Sequence, residues 1–374
     1  MNIRFVVPAV AMALLAAACG GGTVDSADGN AAPPAALPVS EIVETVTDLA
    51  LANTSLDDFC QIHYGVTELQ PDIQVGLVSY GGSVDDGTFN QAAFEGMEAA
   101  GRCFGLATTF LESAGDTSEE KLADLIADDV DVLITVGFQF QEPTVALAAS
   151  NPDVRFIGVD QANPDGAANY VAISFRDDQV GFLAGAAAAM LTESGTVGVV
   201  AGPDTVPPVV AIADGFEAGA VHIDADVDVL REHLDTFADP LAGSATAEDM
   251  VDGGADVIFG AAGGTGSGAI ATAAGLGAWA IGVDQDEYFT TFAGGAEAHA
   301  DRLVTSAMKR VDLGVFLTLA AMVTSEVEGD TFLLDVANGV ITYAPNHGAD
   351  VSDETIERME AIRRDLASGD LEID

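Results

Sequence analysis

Side chains suited to ligand binding follow several short apolar runs of the sequence, at the positions where predicted strands end. Phe89 and Asn90 follow the first run, and Asp160 follows a later one, Phe156 to Val159. In the second half of the chain, Asp284 follows a matching apolar run. Aromatic rings stack on flat ligands, and carboxylates accept hydrogen bonds from hydroxyl groups but repel anions. The pattern therefore predicts a site for a neutral, planar ligand that carries hydroxyl groups, and disfavours free phosphate.

Further candidates lie in the loops that follow other predicted strands. They are two aromatic residues, a tyrosine, a carboxylate and two glycines, namely Phe138, Phe237, Tyr80, Asp86, Gly263 and Gly264. The glycines would let the backbone approach a ligand closely. Each candidate also has a structural alternative, because the rings could belong to the core and Asp284 could cap a turn.

The elements that must position these residues occur twice along the chain. Val75 to Val78 recurs as Val197 to Val200, 122 residues later, and Phe156 to Asp160 recurs as Ala280 to Asp284, 124 residues later. Two further segments recur in the same order at similar spacings. A period of this length exceeds that of solenoid repeats and predicts two similar domains.

Each copy alternates short β-branched runs with amphipathic segments of helical length. The predicted strands are 74–79, 104–110, 131–136, 154–159, 170–173, 196–201, 227–234, 256–260 and 278–283. The predicted helices are 88–101, 117–128, 142–150, 208–220, 243–253 and 266–275. Near-continuous apolar strands between helices predict an α/β protein with two parallel sheets and right-handed crossovers. Ligands of such sheets bind beyond the carboxyl ends of the strands, so two facing lobes would form a cleft that closes by hinge motion.

The charge of the chain limits its partners. Its 374 residues include 12 basic and 60 acidic side chains, which gives a formal net charge of −48. Sequence-independent binding to nucleic acid is therefore excluded, and docking on anionic lipid through basic side chains is disfavoured. Hydrophobic residues make up 49% of the sequence, which is enough for a folded core and excludes wholesale disorder.

The N-terminus has the pattern of an export signal. The apolar stretch Phe5 to Ala18 is too short to span a bilayer comfortably but suits a signal peptide. It ends in Leu15 to Gly20, which resembles a bacterial lipobox and predicts cleavage before Cys19 and lipidation of its thiol. The alternative is an ordinary secretory signal with an incidental cysteine. Outside the cytoplasm, Cys60 and Cys103 could form a disulfide, or they could remain buried free thiols.

Several ordered motifs then resemble one family. They are Gly81-Gly82, Asp85-Asp86 and Phe89-Asn90, Asn151 to Asp160, Gly181 to Ala186, Ala262 to Gly266, Ile281 to Asp286, and Thr305 to Lys309. Together they look like the BMP family of basic membrane lipoproteins, the purine-nucleoside receptors that serve ABC importers. The resemblance runs from about residue 73 to Asp370 and implies the type I periplasmic-binding-protein fold.

The expected domain organisation follows from the repeat and the resemblance. A signal peptide covers 1–18, and the lipidated cysteine, a tether and an accessory segment cover 19–72, with one or two short helices in 39–60. Lobe 1 comprises 73–172 and about 288–325. Lobe 2 comprises 173–287 and about 326–374, which includes a C-terminal helix.

The resemblance also implies roles for residues that face the base of a nucleoside. Phe89 and Phe237 would stack on the base from opposite sides, while Asn90 and Asp160 would form hydrogen bonds with its edge. The family often has an aspartate at the position of Tyr80, where it helps to recognise the base. A tyrosine there leaves the purine preference open.

Two further residues would bind the sugar. Asp284 resembles the family's carboxylate that accepts hydrogen bonds from the ribose hydroxyls, and Lys309 resembles its ammonium. We expect Lys309 in the middle of a helix, where a lysine is usually solvated. However, the chain has only one other lysine, Lys121, and this rarity favours a role in ligand binding or an ion pair.

The predicted function is therefore that of an extracytoplasmic, lipid-anchored binding protein, a monomer without cofactor or metal, which delivers a nucleoside to an ABC permease and its ATPase. Two alternatives stay open, a ligand-sensing lipoprotein that is not coupled to transport and a secreted nucleoside hydrolase. Gly264 to Ala269 with Asp284 imitates a dinucleotide-binding fingerprint, but an exported chain has no supply of nicotinamide cofactor. The sequence contains no Gly-Lys-Ser/Thr P-loop.

Overall fold

A computed structural model describes residues 54–65, 72–81, 83–113, 118–324 and 329–373. The predicted signal peptide, the predicted lipidation at Cys19 and most of the predicted tether lie outside these residues. Among the described helices, none is both long enough and apolar enough to cross a membrane.

The structure contains two six-stranded sheets, whose strands are numbered here in chain order. The first sheet is built from β1 (Gln74–Tyr80), β2 (Ala107–Ser113), β3 (Val132–Val136), β4 (Arg155–Val159), β5 (Tyr170–Phe175) and β11 (Thr331–Leu334). The second is built from β6 (Thr196–Ala201), β7 (Asp228–His233), β8 (Val257–Ala261), β9 (Trp279–Asp284), β10 (Leu303–Lys309) and β12 (Ile341–Tyr343).

The two sheets have matching strand orders. The order is β11-β5-β4-β3-β1-β2 in the first sheet and β12-β10-β9-β8-β6-β7 in the second. All strand pairs are parallel except that of β10 with β12, in which Ala307 lies opposite Tyr343. The parallel strands bring their carboxyl ends to one edge of each sheet, where the predicted site residues lie.

Ten α-helices are described around the sheets. They are α1 (Leu56–His63), α2 (Phe89–Phe104), α3 (Ser118–Ala127), α4 (Gln141–Ser150), α5 (Asp177–Leu191), α6 (Pro207–Ile223), α7 (Pro240–Asp252), α8 (Gly263–Gly275), α9 (Val311–Thr324) and α10 (Asp353–Ser368). Helices α5 and α6 pack unusually closely through glycines. A Cβ atom at Gly181 would lie only 1.8 Å from the carbonyl oxygen of Ile212, so only glycine permits this approach.

The predicted elements match the structure closely up to Asp284. Each of the nine predicted strands and six predicted helices is present, with ends within three residues of the prediction. The sequence analysis missed α5, α9, β10, β11 and β12. The elements α9, β10, β11 and β12 lie beyond Asp284, where the internal repeat that we recognised ends, and α5 lies between the two copies of the repeat.

The chain paths between the lobes correct two of the predicted domain boundaries. Strand β10 belongs to the second sheet, although we expected 288–325 in lobe 1, and β11 belongs to the first sheet, although we expected 326–374 in lobe 2. Helix α9 packs on α2 and therefore does belong to lobe 1. The chain thus crosses between the lobes after β5, after β10 and after β11, because each sheet is completed by a strand that returns from the other lobe.

A disulfide joins the accessory helix α1 to lobe 1. The sulfur atoms of Cys60 and Cys103 are bonded, and their Cα atoms lie 6.0 Å apart. The neighbouring ring of Phe59 packs edge-on against Phe316 of α9, with ring centroids 5.8 Å apart. Of the two alternatives left by the sequence, the structure contains the disulfide.

Candidate functional site

A cavity lies where the carboxyl ends of strands from both sheets meet. From the first sheet it is lined by Tyr80 at the end of β1 and by Asp160 directly after β4. From the second it is lined by Asp284 at the end of β9 and Lys309 at the end of β10. The predicted residues that line this cavity are Tyr80, Asp86, Phe89, Asn90, Phe138, Asp160, Phe237, Gly263, Asp284 and Lys309. Gly264, the remaining candidate, does not line it.

Asp160 and Asp284 occupy equivalent positions in the two lobes. Asp160 directly follows β4 and Asp284 is the last residue of β9, and these two strands correspond to each other in the internal repeat. Both residues have a left-handed backbone, with φ of 58° and 64° respectively. Aspartate tolerates this conformation better than most residues, and such backbone outliers cluster at ligand sites. The shared conformation directs both residues from the strand ends toward the cavity.

Lys309 forms an ion pair that spans the two lobes. Its Nζ lies 2.7 and 2.8 Å from the carboxylate oxygens of Asp160, and 2.7 Å from Oδ1 of Asp177 at the start of α5. These contacts can use all three protons of the ammonium group. Lys309 is the last residue of β10 and is only 2% exposed, so our expectation of a mid-helix position was wrong.

The charge of Lys309 is stabilised by its neighbours. Burial disfavours the ammonium, but the carboxylates of Asp160, Asp177 and Asp284 outweigh burial and raise the pKa of Lys309 above its ordinary value. Two aromatic rings complete its surroundings, with the centroids of Phe89 and Phe175 at 5.1 and 4.5 Å from Nζ. The ammonium thus has a cation–π contact with each of these two rings.

The carboxylate of Asp284 differs from that of Asp160. Only 7% of Asp284 is exposed, and none of the described residues donates a hydrogen bond to its carboxylate. Burial raises its pKa to about 8, although the ammonium of Lys309 opposes this shift, and Asp160, Asp86 and Glu287 add to it. A buried acceptor without a donor is costly, and a ligand hydroxyl would remove that cost.

Asp86 positions the start of helix α2. Its carboxylate accepts hydrogen bonds from the backbone N–H groups of Thr88, Asn90 and Gln91 at 2.9 to 3.1 Å. Burial raises its pKa, while these hydrogen bonds lower it in part. Although Asp86 lines the cavity, its geometry is that of a helix cap that fixes Phe89 and Asn90 in place.

The ring of Phe237 is positioned by two glycines. A Cβ atom at Gly202 would lie 2.4 Å from Cε1 of this ring, so a larger residue would displace it. Gly263 has φ of +56°, and a Cβ there would lie 3.1 Å from the carbonyl oxygen of Phe237. On the opposite lobe, the ring of Tyr80 packs edge-on against Phe140, with centroids 5.5 Å apart.

The sequence analysis missed part of the cavity wall. Val206, Pro208, Val209 and Ile212 form an apolar wall at the start of α6. The internal repeat could have predicted this wall. Helix α6 follows β6 in the second copy, just as α2, which carries Phe89, follows β1 in the first copy.

A buried glutamate supports the loop that follows Asp284, and the sequence analysis missed it as well. The Glu287 carboxylate accepts hydrogen bonds from Val283 N at 3.0 Å, from Ser267 Oγ at 2.8 Å and from Thr291 Oγ1 at 2.5 Å. Burial raises its pKa to about 7, while these donors lower it in part. Gln285 in the same loop donates from Nε2 to the carbonyl oxygen of Thr88 at 2.9 Å, which is a second contact between the lobes.

The cavity offers recognition groups and no metal centre. Within the ranges that the structure covers, no three His, Cys, Asp or Glu side chains are placed to hold a metal ion. The arrangement of rings, paired charges and one unpaired carboxylate can bind a small polar ligand.

Comparison with known proteins agrees with this geometry. The family model for the Bmp family, described as ABC transporter substrate-binding protein PnrA-like, matches residues 73–372. This match covers both sheets and the whole cavity. The chain belongs to the PnrA-like family of ABC transporter substrate-binding proteins. The resemblance of the motifs to the BMP family is thereby confirmed.

Individual relatives cover most of this substrate-binding protein. It is 28% identical over 360 residues to the CD4+ T-cell-stimulating antigen of Listeria innocua, which spans 90% of this chain and 97% of the relative. It is 28% identical over 263 residues to the ABC transporter nucleoside-binding protein BmpA of Lactococcus lactis, at 66% and 74% coverage.

Solved structures confirm the fold of the PnrA-like protein. An ABC transporter solute-binding protein from Aeropyrum pernix superposes with a TM-score of 0.70 and 23% identity, covering 80% of this chain and 92% of that one. The α/β fold class with two similar lobes, the type I periplasmic-binding-protein fold, is therefore confirmed. The family to which the chain belongs consists of solute-binding proteins and not of enzymes.

Proposed function

We propose that this substrate-binding protein captures a nucleoside in the interlobe cavity and delivers it to an ABC permease. The observation that carries the proposal is the buried Asp284 carboxylate, which accepts no hydrogen bond from the described residues and lies in the same cavity as the rings of Phe89 and Phe237. A nucleoside supplies what this cavity lacks. Its vicinal hydroxyls would donate to Asp284, and its base would stack on the rings.

The base edge would be bound by Asn90, Asp160 and Tyr80. Asn90 is buried and lines the cavity. Its side-chain amide has both donors and an acceptor for hydrogen bonds with the base edge. Asp160 is already held by Lys309, which fixes its carboxylate before the ligand arrives. Tyr80 stands where the family often has an aspartate that helps to recognise the base. We therefore propose a nucleoside as the ligand and do not specify its base.

The charge of the cavity favours a ligand without phosphate. The cavity contains the carboxylates of Asp86, Asp160 and Asp284, while its one cation, Lys309, is paired with Asp160 and with Asp177. A phosphate would meet acidic side chains and no free cation among the lining residues. The name of the Lactococcus lactis relative, a nucleoside-binding protein, also supports a ligand without phosphate.

We further propose that the protein acts on the extracytoplasmic side of the membrane, anchored by a lipid on Cys19. The lipobox-like segment before Cys19 supports this location, and so does the Cys60–Cys103 disulfide, because disulfides persist in oxidising compartments. Mass spectrometry of the protein from its native membrane tests it. Diacylglyceryl mass on a peptide that begins at Cys19 is expected, and an unmodified Cys19 would contradict the anchor.

Titration calorimetry of the full-length protein with a panel of nucleosides tests the ligand. We expect at least one ribonucleoside to bind with micromolar affinity or better, and the matching 5′-monophosphate, free base and ribose to bind at least about 100-fold more weakly. Chromatography of the mixture after incubation separates a receptor from a hydrolase. A receptor returns the nucleoside intact, whereas a hydrolase returns base and ribose. Failure of every nucleoside to bind would refute the proposal.

A further inference from the structure

A side groove adjoins the main cavity and has no role in the function proposed so far. Both are lined by Phe138, Asp160 and Pro208, so the two spaces meet at these three residues. The groove continues beyond them between Phe175 of lobe 1 and Pro207 and Ala211 of lobe 2. Its lining includes neither Asp284 nor Asn90, so it adjoins the main cavity on the Asp160 side.

The polar groups of the side groove are already paired within the protein. Gln141 donates from Nε2 to the carbonyl oxygen of Ala162 at 2.7 Å, and its Oε1 accepts from the N–H of the same residue at 2.6 Å. Gln161 donates from Nε2 to the carbonyl oxygens of Thr135 and Gly137 at 3.1 and 3.0 Å. A ligand group in the groove therefore has little to gain from forming hydrogen bonds there.

The charged groups of the groove are paired as well. Asp178 receives two hydrogen bonds from the guanidinium of Arg176 at 2.6 and 2.8 Å, and Asp177 is bound to Lys309 at 2.7 Å. What remains for a ligand is apolar contact with Phe138, Phe175 and the two prolines. Such a surface favours a neutral, apolar group and gives no attraction to an anionic one.

We propose that the side groove is a subsite for a neutral, apolar substituent on the base of the bound nucleoside. This inference rests on the proposed function, in which Asp160 faces the base edge. The protein would then accept nucleosides whose base carries an alkyl or aryl group, because the group can pass Phe138 into the groove without displacing the base. Its ligand class is thereby extended to base-modified nucleosides.

The test compares a parent nucleoside with its benzyl derivative by titration calorimetry on the full-length protein. The parent is the nucleoside of the panel that binds most tightly, and the derivative carries a benzyl group on an edge atom of its base. We expect the derivative to bind at least as tightly as the parent, since the groove buries the added ring. A loss of more than about tenfold would overturn the subsite while leaving the proposed function intact.

A groove-filling variant locates the substituent. Ala211 lines the groove but not the main cavity, so Ala211→Trp should weaken the derivative at least about tenfold and change the parent less than twofold. Ala211→Ser, which adds only one hydroxyl group, is the matched control and should leave both affinities unchanged. Retained parent binding shows that the variant is folded. Equal affinities of Ala211→Trp and Ala211→Ser for the derivative would overturn the subsite, whereas failure of every nucleoside to bind the wild type would instead refute the proposed function.

Discussion

Lys309 and Asp160 are joined across the two lobes by a buried ion pair with distances of 2.7 and 2.8 Å. Lys309 ends β10 of the second sheet, and Asp160 follows β4 of the first. The third proton of the ammonium faces Asp177, so the lysine is occupied before any ligand binds. This arrangement makes Lys309 a tie between the lobes. Among the described residues none donates a hydrogen bond to Asp284, and under the proposed function this carboxylate would bind the sugar.

Removal of the lysine should destabilise the protein. Lys309→Met leaves the buried carboxylates of Asp160 and Asp177 without their cation, and loss of one partner from a buried ion pair costs about 3–5 kcal/mol. Burial already raises the pKa of Asp177 to about 7, and loss of the ammonium removes an interaction that lowers it. The loss in free energy of unfolding should therefore be larger at pH 8, where this buried carboxyl is ionised without a partner, than at pH 5, where it is protonated. Urea denaturation followed by circular dichroism measures both values.

The other lysine of the chain is the control for this variant. Lys121 is partly exposed and lies 3.8 Å from Asp124, so Lys121→Met should cost less than about 0.5 kcal/mol. A similar loss of stability in the two variants would contradict the assignment of Lys309 as a tie between the lobes.

Asp284 should decide between ribose and deoxyribose. Asp284→Ala removes the acceptor for the vicinal hydroxyls, so we expect ribonucleoside affinity to fall at least about tenfold and to approach that of the 2′-deoxynucleoside. Titration calorimetry with both ligands measures the difference. Asp286→Ala is the control, because Asp286 binds His347 at 2.7 Å and does not line the cavity. Unchanged affinity in Asp284→Ala would remove Asp284 from the site.

Ligand binding should release a proton. Burial raises the pKa of Asp284 from 3.8 to about 8, so its carboxyl is protonated in the free protein at pH 6. Hydroxyl donors favour the ionised form, so affinity should rise with pH, by up to about tenfold per unit, and level off above about pH 8. Calorimetry at pH 6.5 in two buffers of different ionisation enthalpy counts the released protons.

The Asp284→Asn variant tests whether Asp284 is the source of the proton that is released on ligand binding. The pKa values of Glu287 and Asp284 are both raised by burial, so proton release alone does not identify the group. If Asp284 is the source, the Asn variant binds without proton release and its affinity no longer rises between pH 6 and 8. Persistence of full proton release in this variant would exclude Asp284 as the titrating group.

Phe89 should contribute affinity without selecting among bases. Stacking tolerates any base and contributes about 1–3 kcal/mol, so Phe89→Ala should weaken every nucleoside that binds by a similar factor, about 10-fold or more. Phe94→Ala on the same helix is the control, because Phe94 packs against Phe110 away from the cavity. A loss confined to one base would argue that Phe89 recognises a base edge and does not act by stacking.

The sequence by itself determined the architecture and the composition of the candidate site. Apolar runs at a repeat of about 122–125 residues predicted two parallel sheets, and all of the predicted ligand-binding residues except Gly264 line the cavity. This was possible because the carboxyl ends of parallel strands form the binding edge of a sheet. A residue that directly follows a strand is therefore expected at that edge. The ends of the strands and helices that belong to the repeat could likewise be predicted from local apolar patterns.

Tertiary structure alone decided how the charges are paired and how the lobes exchange their last strands. Lys309 and Asp177 are 132 residues apart, and nothing in either local sequence indicates that they meet. The membership of β10 and β11 depends on which sheet edge lies open to the returning chain, which is a property of the assembled lobes. The unpaired state of Asp284 has the same origin, because burial and the distribution of donors arise only when distant segments pack together.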